Sequence, residues 1–283
     1  MKYILYLKGG YANQLFQFMK VLELRSQNNN YDKHSPDKIE LHTGLLSKFK
    51  TPRSFELTDL LEGKSDICIR RPKSIMKFLF NYLYHFIWGA LLNDRYLQTS
   101  RTTPTKSIML NGYFHSPSFL QIPEIANDLI NTYYDAELRA QLENKIVVHI
   151  RGGDYKFLSQ KKSRSLVVLS YNYYYLALSR MTKPLDIIVC TDDIEHSKTI
   201  VSCLIRDFPI KNCKIQSDRK IDHKYLFNCE TLVCANSSYS LFFGITSSTR
   251  FPRKEIIVPK KWFVSDEVSA TYISKFEKLV TLI

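Results

Sequence analysis

A chain of 283 residues can bury a substantial core and is long enough for one large domain or two of ordinary size. Its 45% apolar and 13% aromatic content excludes an intrinsically disordered chain. The formal charge of +13 is spread without a long basic block, which favours an anionic partner (phosphate groups, an acidic membrane face or nucleic acid) without choosing among them.

The apolar run at residues 1–7 is too short for a signal peptide and has no small-residue cleavage site, so a cytoplasmic protein is expected. Residues 3–7 read as a first strand, Lys8-Gly9-Gly10 as the turn after it, and a helix begins near Asn13 with Leu15, Met19 and Leu22 at helical spacing. Strand, Gly-Gly turn and helix in this order resemble a phosphate-binding turn, although the spacing is not G-x-G-x-x-G. Asn13 and Gln14 place two side-chain amides at the helix mouth, suited either to a polar ligand or to simple capping. Residues 31–74, interrupted by Pro36, Pro52 and Pro72, give no clear assignment. Residues 75–92 are the most apolar stretch, with Lys77, Asn81 and His85 forming a narrow polar stripe. As a membrane span this stretch is marginal; a buried helix or one resting on a membrane surface fits better, with basic Arg70, Arg71 and Lys73 just ahead.

A helical pattern over 122–142 precedes a domain boundary, giving domains 1–142 and 143–283 with the final helix free to pack back on the first. Ile146-Val147-Val148 then reads as a buried strand leading into His149, Ile150 and Arg151, so that His149 and Arg151 project the same way. Gly152 and Gly153 break the strand and let a ligand approach the backbone, and Asp154 follows at once. This grouping suits a charged substrate at the edge of an open α/β sheet, or else an Arg–Asp pair stiffening a turn. Residues 156–164 form a polar, basic loop placed to cover a site, and 172–178 look like a capped helix beginning at Asn172.

Residues 186–190 make a strong strand running into Thr191-Asp192-Asp193, with a helix from Ile194. Asp192 and Asp193 can accept hydrogen bonds from a nucleobase or ribose, bind a metal, or cap the helix; their spacing is not D-x-D. Residues 231–235 form another strand, ending in Asn236-Ser237-Ser238, a polar set suited to a diphosphate at a helix N-terminus or to ordinary capping. A short strand at 256–258, a basic aromatic turn and a helix from Asp266 close the chain. The six cysteines include no C-x-x-C pair, and Cys190, Cys229 and Cys234 sit in apolar surroundings, so reduced structural thiols are expected and no metal spacing is seen.

Taken together, Gly9 to Gln17, His149 to Tyr155, Asn172 to Ala177, Thr191 to Glu195, Ala235 to Ser240 and Val258 to Phe263 resemble, in order, the motifs of the α-1,2-fucosyltransferase family, inverting GDP-fucose-dependent glycosyltransferases. Gly152 stands where that family has a second Arg, Ala12 where it has Gly, and Leu241-Phe242 where it has Trp-Trp. The resemblance implies an α/β, GT-B-like architecture of two Rossmann-like domains facing a cleft, with the donor in the C-terminal half. It also implies transfer of L-fucose from GDP-β-L-fucose to a hydroxyl, the 2-OH of a terminal galactoside on a glycan or lipid-linked acceptor, with inversion. No cofactor or metal is expected.

In that scheme Arg151 stabilises the leaving diphosphate, with Ser237 and Ser238 assisting from the facing loop. His149, Gly10, Asn13, Gln14 and Asn236 contact the donor, and Asp192 or Asp193 receives guanine. Asp154 is the base on the acceptor side, or else the residue holding Arg151. The charge then suits peripheral contact with the inner face of the cytoplasmic membrane. A transferase using another GDP-sugar is the nearest rival. A non-catalytic nucleotide or nucleic-acid binder is more distant, because the basic residues are scattered and no RNA-binding module pattern is present; nucleic acid is not an expected partner.

Overall fold

The computed structural model describes residues 2–28, 38–46, 52–71, 99–102, 107–153, 155, 166–181 and 185–283. The chain divides into two compact units, Met1–Ile125 and Ala126–Ile283.

The first unit holds strands β1 (Lys2–Tyr6), β2 (Lys38–His42), β3 (Ile67–Arg70), β4 (Thr99–Thr102) and β5 (Ser107–Asn111), in the order β3-β2-β1-β5-β4. All pairings are parallel except β4 on β5. Tyr3, Leu5, Ile39, Leu41 and Leu110 are fully buried, as the period of two along a strand requires. Across the same sheet, Glu40 of β2 pairs with Lys2 of β1 at 3.1 Å and Arg70 of β3 at 2.9 Å, an opposite-charge ladder that supports the register. Helix α1 (Tyr11–Asn28) follows β1 and buries Leu15, Phe16, Phe18, Met19 and Val21. The short helix α2 (Thr58–Leu61) lies between β2 and β3.

The second unit begins with α3 (Pro123–Tyr133), whose first residues precede the division, and α4 (Ala136–Gln141). Its strands are β6 (Lys145–Ile150), β7 (Leu185–Thr191), β8 (Ile210–Gln216), β9 (Thr231–Val233), β10 (Glu255–Val258) and β11 (Thr281–Leu282). Between them run α5 (Tyr171–Leu178), α6 (Ile194–Asp207), α7 (Arg219–Asn228), α8 (Ser238–Ser248) and α9 (Asp266–Ile273). The order β11-β10-β9-β6-β7-β8 is parallel throughout. It runs outward from β6 in one direction and from β9 in the other, which is the doubly wound Rossmann order. Each unit is thus an α/β layer structure around a largely parallel sheet, as expected. The reversal between β6 and β9 matters most, because ligands of such sheets sit beyond the carboxyl ends of the strands at that point.

Several elements differ from the sequence expectation. The helical pattern over 122–142 is two helices, because Asp135 leaves the helix to cap α4, its carboxylate accepting from Leu138 N at 3.0 Å. Buried Asn228 locks this break, donating to Tyr133 O at 2.9 Å and accepting from Asp135 N at 3.0 Å. The first helix starts at Tyr11, so Asn13 lies within its first turn. Helix α5 starts at Tyr171 after Ser170, with Asn172 inside it. The unassigned stretch 31–74 contains β2, α2 and β3, and β5, β8 and α7 also went unread. The expected boundary at 142/143 lies after α3 and α4, and both the apolar segment 75–92 and the loop 156–164 fall outside the described residues. No described helix is long and apolar enough to cross a membrane. All six cysteines are free thiols, with Cys190, Cys229 and Cys234 in the core.

Candidate functional site

β6 is buried along both faces, as a central parallel strand must be, and this is why Ile146-Val147-Val148 reads as a continuous apolar run. Pairing with β9 ends at Val148 opposite Val233. Just beyond, helix α5 supplies two buried tyrosine hydroxyls: Tyr174 donates to His149 O at 3.3 Å and Tyr173 to Cys234 O at 2.6 Å. Consecutive tyrosines on one helix therefore pin the ends of both strands that flank the reversal.

Arg151 leaves β6 at this edge. Its guanidinium bonds Asp192 Oδ2 at 2.8 Å, both side chains being less than one-fifth exposed (18% and 19%). The other oxygen of Asp192 accepts from Gly152 N–H at 3.0 Å. A Cβ at Gly153 would stand 2.1 Å from Asp192 Oδ2, and one at Gly152 would stand 2.8 Å from Asp193 Oδ2 and 2.9 Å from His196 Cδ2. Both glycines are therefore required by the close approach of the β7 carboxylates. A larger side chain at position 152 would have to displace Asp193 and His196. The face of Arg151 lies over the Tyr155 ring, 5.0 Å from its centroid, and the Tyr155 hydroxyl donates to Asn236 O at 3.2 Å. Arg151 is thus braced across the reversal, from β7 on one side and from the end of β9 on the other.

Asp193 is the N-cap of α6, accepting from His196 N at 3.0 Å, while Thr191 Oγ1 accepts from Asp193 N at 3.0 Å and from Ser197 Oγ at 2.7 Å. Asp193 thus does what the capping alternative expected, whereas Asp192 holds Arg151, a role the sequence reading had offered only for Asp154.

His149 lies behind this edge, 3% exposed, its ring 5.9 Å from that of Tyr239 in the first turn of α8. Burial, with the neighbouring Arg151 charge adding to it, lowers its pKa to about 3, so the imidazole is neutral at physiological pH. Its Nδ1 is buried and has no hydrogen-bond partner among the described residues. Ser237 caps α8, its hydroxyl accepting from Tyr239 N at 3.3 Å, and no acidic side chain occupies the helix's first turn. Asn236 is fixed by its amide, which donates to Val167 O at 2.7 Å and Trp262 O at 3.0 Å, while its Oδ1 is buried with no partner among the described residues. A guanidinium, a neutral imidazole and the N-terminus of α8 thus meet at the reversal, a combination that attracts a phosphate.

The first unit places Gly10, Asn13 and Gln14 at the carboxyl edge of β1. Gly9 adopts φ +79, open to glycine without strain. Gln14, fully buried, donates to Gly9 O at 3.1 Å and Ser54 O at 2.8 Å and accepts from Glu56 N at 3.1 Å. Gln17, also buried, accepts from Lys8 N at 3.1 Å and donates to Lys8 O at 2.9 Å. The two amides of the Asn-Gln-Leu-Phe-Gln stretch that point inward clamp the Gly-Gly turn. Asn13 instead meets His115, its Oδ1 2.8 Å from Nε2.

The structure therefore brings His149, Arg151, Asp192, Asn236, Ser237 and Ser238 to one edge of the second unit, and Gly10, Asn13 and Gln14 to one edge of the first. Asp154 lies outside the described residues. Sequence reasoning gave no role to Tyr155, Tyr173, Tyr174 or His115, whose roles depend on partners distant in the chain; the three tyrosines stood inside recognised blocks and His115 did not. Among the described residues no three His, Cys, Asp or Glu side chains group to hold a metal ion.

No protein-family model matches the chain, and no curated protein matches it. Solved structures similar to it include NodZ α-1,6-fucosyltransferase co-crystallised with GDP, at 11% identity over 86% of this chain and 92% of that one, with TM-score 0.47. A family 9 glycosyltransferase from Veillonella parvula is similar at 9% identity over 100% and 85% of the two chains, TM-score 0.44. POFUT1 in complex with GDP is similar at 12% identity over 87% and 94%, TM-score 0.42. Likenesses this distant identify neither substrate nor linkage.

Proposed function

We propose that the chain is a glycosyltransferase that moves L-fucose from GDP-β-L-fucose to a hydroxyl of a galactoside-terminated glycan or lipid-linked acceptor, forming an α-1,2 bond with inversion. The observation that carries this reading is the braced Arg151 beside the N-terminus of α8 at the β6/β9 reversal. The six ordered motif blocks support the donor and the linkage.

The chemistry follows from the residues. As the bond from fucose to GDP breaks, negative charge grows on the diphosphate, and fixed donors aimed at that charge lower the barrier. Arg151 is held by Asp192 and Tyr155, so its guanidinium is already oriented and would meet the phosphate without reorganising. Backbone N–H groups of Ser238 and its neighbours, with the positive end of α8, take a second oxygen. Neutral His149, buried behind the edge, places no second cation there. Asp154 is our candidate for removing the acceptor proton.

The test is calorimetric titration of the purified chain with GDP in EDTA, followed by turnover of GDP-fucose on terminal galactosides with linkage analysis. Tight GDP binding that Arg151→Met weakens, with a new α-1,2 bond in the product, supports the reading; no GDP binding rejects it. Competition between GDP-fucose and GDP-mannose separates the rival GDP-sugar reading.

A further inference from the structure

Lys8 is the second residue after β1, at the carboxyl edge of the first sheet and one residue before the left-handed Gly9. Its peptide is gripped on both sides by buried Gln17, and the following carbonyl, of Gly9, by buried Gln14. A turn held this firmly presents its side chain in one place. The side chain it presents is an ammonium 5.4 Å from the Tyr113 ring centroid. Burial lowers the Lys8 pKa, and no carboxylate among the described residues offsets that loss of water.

Around it, Tyr113 lies 5.6 Å from His115 between ring centroids, and His115 is tied to Asn13 at 2.8 Å and packed on Phe16 at 4.8 Å. Phe114, between Tyr113 and His115, is buried and holds φ 51. A non-glycine residue reaches that region at a cost, which is met where the neighbouring side chains must be aimed. The first turn of α1 contains no acidic residue. A half-buried cation without a counter-ion is unfavourable unless something supplies the negative charge.

We propose that this edge of the Met1–Ile125 unit binds a phosphate or carboxylate group through the Lys8 ammonium, with Tyr113, His115 and Asn13 forming its walls. The site's chemistry stands on its own; only the owner of the anion rests on the glycosyl-transfer reading. That owner is either the donor diphosphate or an acidic group on the acceptor, such as a lipid-linked phosphate or a uronic acid.

Inorganic pyrophosphate is the probe, titrated calorimetrically into full-length Arg151→Met so that the second unit's cation does not contribute. A saturable event is expected that Lys8→Met weakens roughly ten- to hundredfold and Lys8→Arg largely restores. Lys8→Met should melt no lower than its parent, because it removes an unbalanced charge, so weaker binding would not reflect unfolding. Absence of the pyrophosphate event, or an event indifferent to Lys8→Met, overturns the proposal. In otherwise wild-type protein, a loss of GDP affinity in Lys8→Met assigns the anion to the donor. Unchanged GDP affinity with a lost preference for acidic over neutral galactosides assigns it to the acceptor. Failure of wild type to bind GDP would reject the transferase reading while leaving the pyrophosphate result to stand.

Discussion

A methyl group at Gly153 would lie 2.1 Å from Asp192 Oδ2, so Gly153→Ala must push away the carboxylate that aims Arg151. Displacing a catalytic group by about 1 Å can cost roughly 10²-fold in rate; a fall in kcat of about that size, with GDP-fucose KM less affected, is expected from steady-state kinetics. Gly152→Arg drives a side chain into Asp193 and His196. It should destabilise the chain by about 1–3 kcal/mol in urea unfolding. His149 makes a pH prediction. Its folded pKa of about 3 lies below the ordinary histidine value, so between the two the unfolded chain binds the extra proton and stability falls as pH falls. The slope from this residue approaches about 1.4 kcal/mol per pH unit below about pH 6.5 and vanishes above it. Comparing urea midpoints of wild type and His149→Asn at pH 5 and 7.5 checks it: the variant should lose less on acidification.

At the scale of elements, the helix N-termini carry the argument. Ser237→Ala removes the hydroxyl that caps α8 and should cost about 1 kcal/mol of stability, with a parallel loss of GDP affinity; an unchanged affinity would place the phosphate elsewhere. Gln17→Ala strands both polar groups of the Lys8 peptide and should cost about 1–3 kcal/mol, measured by thermal or urea unfolding. These elements also show what the sequence could and could not reveal. β6 and β7 were legible because burial on both faces leaves uninterrupted β-branched runs. β8, Ile-Lys-Asn-Cys-Lys-Ile-Gln, was not, because an edge strand carries exposed lysines that blur its period. Arg151, Ser237 and the glycines stood out as local chemistry. The partnership of Arg151 with Asp192 spans two strands, and the pinning tyrosines of α5 reach both sides of the reversal, so no local pattern announces them.

At the scale of the whole molecule, a formal charge of +13 surrounds sites read here as anion-binding. Such a field raises the local concentration of anionic ligands and fades with salt. GDP association measured by stopped flow should slow as ionic strength rises, whereas the off-rate, set by the partly buried Arg151 contacts, should change less. The doubly wound order of the second unit explains why a chain with so few exposed motif residues can still build a site: the reversal itself opens the crevice, and the sequence supplies an arginine on one side and a capped helix on the other. The most direct measurement is GDP titration of wild type and Arg151→Met in EDTA, alongside turnover of GDP-fucose. The account predicts saturable binding by wild type, a rate reduced roughly 10²-fold or more by the substitution, and no effect of EDTA. Equal turnover by Arg151→Met, or activity abolished by the chelator, would contradict it.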